Sequence, residues 1–214
     1  MGEDARFGTM TLDGFLEVMG SKDPTPGGGA AAAVAGATGA ALIAMVGRLT
    51  LGKGGFEDLE ERMRALVERA DEARTEFLAL GGRDAATFED VMASFRLPKE
   101  TDVAKASRAA AIQRGLTGAA AVPLEIARRA VDLMELAEEA TAMGNPNAAS
   151  DGMSAAGMLY ASVLGAKANV EINATSLVDE ARRRALLDEV AEVRERAAVL
   201  LARCREAFGL RLSG

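Results

Sequence analysis

The chain of 214 residues contains no histidine, no tryptophan and a single cysteine. Without histidine the protein has no histidine-based catalytic triad, no histidine–cysteine pair and no histidine metal site. The one cysteine, Cys204, has no partner for an internal disulfide, which favours a reducing compartment such as the cytoplasm. Any chemistry must therefore rest on carboxylates, amides and backbone groups.

Aromatic residues are also scarce, at 4% of the chain, and the net charge is −7. Alanine, leucine and valine must build the core, and alanine favours helix. The negative charge argues against nucleic acid as a partner, because phosphate binding relies on clustered lysine and arginine. The acidic start, MGEDARFG, lacks the apolar run of a signal peptide.

One uncharged run of 21 residues, Gly27 to Gly47, has the length of a membrane span. Nine of its residues are alanine and six are glycine, which gain little from lipid, so we predict a buried helix and no membrane contact. Within it Ala32, Gly36, Ala40 and Ala44 recur every four residues. This strip of small side chains indicates either a tightly packed central helix or a dimer interface.

The patterns predict an all-α protein, because no alternating run of valine, isoleucine and threonine is present. An apolar stripe from Leu59 to Leu80 predicts a helix that Gly81-Gly82 would end as a C-cap, and a second stripe runs from Leu186 to Phe208. Shorter helices are predicted at 11–19, 84–95, 101–117, 124–142 and 146–168. We expect one domain, residues 1–214, folded as a bundle of about seven helices.

The stretch PTPGGG, residues 24–29, is the first candidate for a binding site. Gly27 to Gly29 would let a ligand approach the backbone at a helix N-terminus, which offers free N–H donors and a positive dipole. A tight turn between helices explains the glycines equally well. A second glycine segment, residues 47–54, resembles a phosphate-binding loop, but Gly54 replaces the required serine or threonine. We interpret it as a helix end followed by a glycine turn.

Four polar residues have both a functional and a structural explanation. Asp151 follows an N-cap and first position at Asn145-Pro146 and shares a largely apolar helix face, where a carboxylate could act as an acid or base or could bond nearby amides. For Asp84, the local sequence favours a plain N-cap. Asn169 and Asn173, four apart, could bind a polar heterocycle or could cap and end their helix.

Five segments in order resemble one family: SKDPTPGGGAAAAVAGATGAALIAMV, DAATFEDVMASFRLPK, VPLEIA, GNPNAASD and GAKANVEIN. Together they resemble the cyclodeaminase/cyclohydrolase family of folate one-carbon enzymes over roughly residues 10 to 205. The 214 residues include no formiminotransferase portion, so the resemblance is to the stand-alone members. It implies an all-helical subunit, a homodimer and a folate cleft.

The resemblance also implies roles for individual residues. It places Pro26, Gly27, Gly28 and Gly29 along the cleft as bare backbone. It makes Asp151 and Asp84 the acid–base pair and adds Asn145, Asn169 and Asn173 as polar cleft residues. For the anionic glutamate tail of folate we expect Lys22 and Lys99.

The implied reaction is hydrolysis of 5,10-methenyltetrahydrofolate to 10-formyltetrahydrofolate, in which carboxylates assist the attack of water. The folate is the substrate, and its cationic bridge needs neither metal nor cofactor. The alternative is a formimidoyltetrahydrofolate cyclodeaminase, which forms the methenyl compound and ammonia. A folate-binding helical subunit without catalysis is a third possibility.

Overall fold

A computed structural model describes residues 8–213, and the N-terminal stretch discussed above lies almost wholly outside the described residues. The described part contains no strand. It folds into six α-helices: α1, Leu12–Met19; α2, Gly28–Thr50; α3, Glu60–Phe95; α4, Asp102–Met143; α5, Ala149–Thr175; and α6, Glu180–Ser213. Two short 3₁₀ turns, Glu57–Leu59 and Pro146–Ala148, precede α3 and α5. The all-α prediction is confirmed.

Helix α2 lies at the centre of the bundle, between α3 and α5. All four residues of its small strip are buried, and a Cβ added to Gly36 would lie 2.5 Å from the ring of Phe77. The strip therefore serves close packing within the chain, the first of the two explanations. Among residues 8–213, α2 is the one helix long and apolar enough to span a membrane, and 61% of its most apolar window is buried in the fold.

Two predicted helix breaks are absent, so two pairs of predicted segments are each one continuous helix, and six helices are found where about seven were expected. Helix α3 continues through Gly81-Gly82, and both glycines are buried. Each glycine costs about 1 kcal/mol in a helix interior, a small sum against the burial of a 36-residue helix. Helix α4 likewise runs past Pro123, so the predicted segments 101–117 and 124–142 are one helix.

Other local predictions are confirmed. Asn145 caps the turn that starts at Pro146, and its side chain accepts a hydrogen bond from the backbone of Asn147. The segment resembling a phosphate-binding loop is the end of α2 followed by a turn, in which Gly52 and Gly55 have positive φ angles of 69° and 88°. Such angles favour glycine, which explains both residues.

Candidate active site

A cavity of about 290 Å³ opens where the N-terminus of α2 meets α3, α4 and α5. The segment before α2 contributes its backbone, α3 contributes a carboxylate, and α5 contributes two amides. The lining residues are Pro24, Thr25, Gly27, Gly28, Asp84, Thr87, Phe88, Val91, Ala119, Asn169, Ile172 and Asn173. Of the predicted site residues, the structure brings together Gly27, Gly28, Asp84, Asn169 and Asn173.

The carboxylate of Asp84 lies directly against Gly29, in the first turn of α2. A Cβ added to Gly29 would overlap both carboxylate oxygens, so only glycine fits at this position. The cap residue of α2, Gly27, has no side chain to bond the free N–H groups of the first turn. Asp84 reaches this end from another helix, so the glycines admit a carboxylate to the positive end of α2.

The environment of Asp84 raises its pKa from 3.8 to about 6. Burial is the larger cause, because it disfavours the charged form, and the backbone N–H of Ala30 acts in the opposite direction. No ion pair forms at this carboxylate among residues 8–213. A carboxylate that is partly desolvated and lacks a cationic partner can attract a cationic ligand and can exchange a proton near neutral pH.

The two amides on α5 are held by backbone carbonyls. The Nδ2 atom of Asn169 donates to the carbonyl of Gly165 at 2.9 Å, and Nδ2 of Asn173 donates to the carbonyls of Asn169 and Ala119, both at 2.9 Å. The amide oxygens are therefore left to accept hydrogen bonds from a ligand in the cavity. Helix α5 continues to Thr175, so the suggestion that these asparagines end the helix was wrong.

Pro123 explains why Asn173 can bond to Ala119. A residue in an α-helix normally donates its N–H to the carbonyl four positions earlier, and proline has no N–H to give. Pro123 thus leaves the carbonyl of Ala119 without its helical donor, and the amide of Asn173 supplies one. Pro123, which lies in the gap between the predicted helices 101–117 and 124–142, instead stands inside α4 and helps to position a cavity residue.

The remaining predicted site residues lie elsewhere. Asp151 is in the first turn of α5, 18 residues before Asn169, which corresponds to about 27 Å along the helix axis. Asn145 forms hydrogen bonds with Lys53, Leu49 and Thr50 at the C-terminal end of α2, whereas the cavity lies at the N-terminal end of that helix. Pro26 adjoins the lining segment without lining the cavity, and Lys22 and Lys99 are exposed outside it.

The N-cap explanation of Asp84 was wrong, because Asp84 lies inside α3. Sequence reasoning also missed Thr87, Phe88 and Val91. They follow Asp84 by three, four and seven positions, which places all four residues on one helix face. If the sequence prediction had continued the helix through Gly81-Gly82, the helical spacing would have placed these three residues on the same face as Asp84. Phe88 and Ile172 give the cavity apolar walls suited to a flat ring.

Together, the fold and the cavity define a class: an all-helical domain with a cavity built around one partly buried carboxylate and a bare helix end. The formiminotransferase-cyclodeaminase family matches residues 11–192. The chain belongs to this family.

Three proteins of known name are similar to this chain in sequence or structure. A methenyltetrahydrofolate cyclohydrolase of Methylorubrum extorquens is 38% identical over 199 residues, covering 93% of this chain and 96% of that protein. A formimidoyltransferase-cyclodeaminase of Sus scrofa is 37% identical over 92% of this chain, but the match spans only 35% of that protein.

The third is a crystal structure, that of a formiminotetrahydrofolate cyclodeaminase from Thermotoga maritima. It has a TM-score of 0.86 and 32% identity, covering 94% of this chain and 97% of that one. The fold is therefore shared along almost the whole chain.

Proposed function

We propose that this protein hydrolyses 5,10-methenyltetrahydrofolate to 10-formyltetrahydrofolate in the Asp84 cavity. The observation that carries the proposal is the partly buried carboxylate of Asp84, which has no cationic partner among residues 8–213 and lies beside the bare backbone of Gly27 and Gly28. The bridge between N5 and N10 of this substrate is a cation, so its binding would relieve the cost of burying Asp84. The match to the Methylorubrum cyclohydrolase over nearly the full length of both chains supports this substrate.

The reaction needs one proton acceptor that later becomes a donor. Water attacks the bridge carbon, and its proton passes to the carboxylate of Asp84, which gives a neutral tetrahedral carbon. The bond from this carbon to N5 then breaks as N5 takes the proton back from Asp84. The hydroxyl on the carbon loses its own proton to solvent and becomes the carbonyl of the formyl group, which stays on N10, so one proton is released in each turnover. A carboxyl group with a pKa of about 6 can both accept and return that proton near neutral pH.

Turnover is measured by the loss of the methenyl chromophore. We expect Asp84→Asn to lower kcat by about 10²- to 10⁴-fold, the usual contribution of a general acid–base. Glu89→Gln removes an exposed carboxylate from the same helix and should leave turnover unchanged. Full activity in Asp84→Asn would refute the role of Asp84.

The Thermotoga structure, named as a formiminotetrahydrofolate cyclodeaminase, supports a second candidate reaction. Closure of 5-formiminotetrahydrofolate with loss of ammonia passes through the same kind of tetrahedral carbon. Ammonia release from that substrate distinguishes the two activities. A folate-binding subunit without catalysis would bind a folate in calorimetry and turn over neither compound.

We also propose a homodimer formed through the outer faces of α2 and α5. These neighbouring helices are antiparallel, and neither carries a charge between Gly28 and Gly47 or between Gly152 and Ala166. Their outward residues include the exposed side chains of Met45, Met158 and Leu164. An uncharged surface spanning two long helices fits a second copy of itself, because symmetry places like against like. Light scattering should give twice the chain mass, and Met45→Lys should give a monomer.

A dimer would also give Asp151 a route to catalysis. Asp151 lies at one end of this outer face, about 27 Å along α5 from the cavity of its own chain, so it can join Asp84 only from the second subunit. Two inactive variants, Asp84→Asn and Asp151→Asn, would then restore one intact site when mixed and reassembled. We expect about one quarter of wild-type activity from statistical mixing. Turnover by Asp151→Asn alone at the wild-type rate would exclude the role.

We place this activity in the cytoplasm. The one thiol, Cys204, is buried and free, as a reducing compartment allows.

A further inference from the structure

A second groove, of about 440 Å³, extends along the seam between α3 and α4. Thr87 lines both the groove and the Asp84 cavity, so the two spaces adjoin. From Asp84 the groove follows α3 to the end of the helix at Phe95, eleven residues or about 17 Å farther along the axis, and it reaches Leu97 just beyond that end. A long ligand with one end in the cavity would therefore extend between these two helices.

Among the residues that the structure describes, Arg114 is the one basic side chain that lines this groove. Several other arginines of α4 and α6 are held by carboxylates, as Arg128 is by Glu189 and Arg203 by Glu138. Arg114 makes no ion pair or side-chain hydrogen bond with any of residues 8–213. It lies five residues before Ala119, a cavity residue, which is about 7.5 Å along α4. Its guanidinium is free to bind an anion beside the cavity.

Two glycines form part of the groove wall between Arg114 and the cavity. Gly115 and Gly118 are three residues apart on one face of α4. A Cβ added to Gly118 would meet nothing within 4 Å, so the space over it is open. A Cβ at Gly115 would lie 3.2 Å from Val91, so this glycine allows α3 to come close. The bare backbone provides a flat surface where an aromatic ring can lie.

We propose that this groove binds the aminobenzoyl-glutamate end of the folate substrate and that Arg114 pairs with a glutamate carboxylate. The inference rests on the proposed function, since it assumes a pterin in the Asp84 cavity. Going away from the cavity along α4, the bare backbone of Gly118 and Gly115 comes first and the guanidinium of Arg114 follows. In the ligand, the aminobenzoyl ring comes first and the glutamate carboxylates follow, so the two orders match. Arginine binds carboxylates through two parallel hydrogen bonds, which fixes position as well as charge. This assignment replaces Lys22 and Lys99, neither of which lines the groove.

Asp90 is the charged residue that opposes this role. It also lines the groove, and it has no ion-pair partner among residues 8–213. Its negative charge would weaken the binding of an anionic tail. The two residues thus give opposite predictions, which makes the proposal testable in both directions.

The experiment compares two substrates, 5,10-methenyltetrahydrofolate and its pteroate counterpart without glutamate. For the glutamate-bearing substrate, we expect Arg114→Ala to raise KM about three- to tenfold at unchanged kcat, and Arg114→Lys to recover part of the loss. Asp90→Asn should lower KM, and added salt should reduce both effects. The pteroate substrate should show none of these changes. Arg182→Ala, on α6, is the control for loss of an exposed arginine.

Equal changes for both substrates, or no change in Arg114→Ala, would overturn the proposal. If the wild-type protein turns over neither substrate, the proposed reaction fails, and the groove is tested by binding instead. Calorimetry with 5-formyltetrahydrofolate and its pteroate counterpart should then show a preference for the glutamate form that Arg114→Ala removes. Equal affinity of the wild type for both compounds would refute the groove assignment.

Discussion

Replacing Asp84 by asparagine should stabilise the protein at pH 8 while it removes activity. Burial raises the pKa of Asp84 to about 6, so folding must keep a carboxylate charged in a place that disfavours the charge. Asparagine has nearly the same shape and carries no charge. The cost is therefore removed with little change in packing.

The magnitude follows from the pKa shift. The shift from 3.8 to about 6 is roughly 2 units, and 1.36 kcal/mol per unit gives about 3 kcal/mol. Because Asp84 keeps some contact with solvent, we take about 2 kcal/mol. The native carboxyl holds its proton more tightly than the unfolded one, so unfolding releases a proton between about pH 4 and 6. The favourable contribution of Asp84 to the free energy of unfolding is therefore present in full below about pH 4, and it is lost as the pH rises through about 6.

Urea denaturation of wild type and Asp84→Asn at pH 3.5 and pH 8, at one protein concentration, isolates this effect. The two proteins should be close in stability at pH 3.5, where Asp84 is protonated in both the folded and the unfolded chain for the most part, and the variant should be about 2 kcal/mol more stable at pH 8. All other titrating groups are shared and cancel in the difference. If the variant is less stable than wild type at pH 8, the N–H of Ala30 and the dipole of α2 outweigh burial, and the reasoning is refuted.

Three further predictions concern single residues. Gly29→Ala should lower the free energy of unfolding by about 1–3 kcal/mol and reduce kcat, because the new Cβ would overlap the carboxylate of Asp84. The control is Gly209→Ala on α6, which has open space around it and should be neutral or slightly stabilising in the same denaturation assay. Pro123→Ala should stabilise the fold by about 1–3 kcal/mol yet raise KM, because its new N–H competes with Asn173 for the carbonyl of Ala119; an unchanged KM would contradict this link. Cys204, whose pKa burial raises to about 12, should resist a thiol reagent until denaturant unfolds the chain, and rapid labelling of the native protein would contradict its burial.

The helical class of the fold could be predicted from composition and apolar stripes alone. The two misplaced boundaries share one physical cause. Gly81-Gly82 and Pro123 are strong local signals for a helix end, but each costs only about 1–3 kcal/mol, and long buried helices outweigh that cost. Rules based on local sequence do not include the burial of apolar surface against neighbouring helices, which stabilises the continuous helix.

For the site, too, the sequence identifies residues but not the contacts between distant parts of the chain. The glycines, Asp84 and the two asparagines could be named from the sequence, but their relation could not. Nothing local indicates that the carboxylate of Asp84 fills the space left by Gly29, or that Pro123 frees a carbonyl for Asn173. The largely apolar helix face that Asp151 shares pointed to a buried site, yet Met158, seven positions later on that face, is exposed, and Asp151 lies at the end of α5 far from the cavity.

A crystal structure with bound 5-formyltetrahydrofolate would show whether the pterin ring of a folate occupies the Asp84 cavity. We expect the pterin ring between Gly27, Phe88 and Asn169, with its N5 side toward Asp84 and its tail in the groove that Arg114 lines. A pterin bound near Asn145 and Asp151, with the Asp84 cavity empty, would contradict the account.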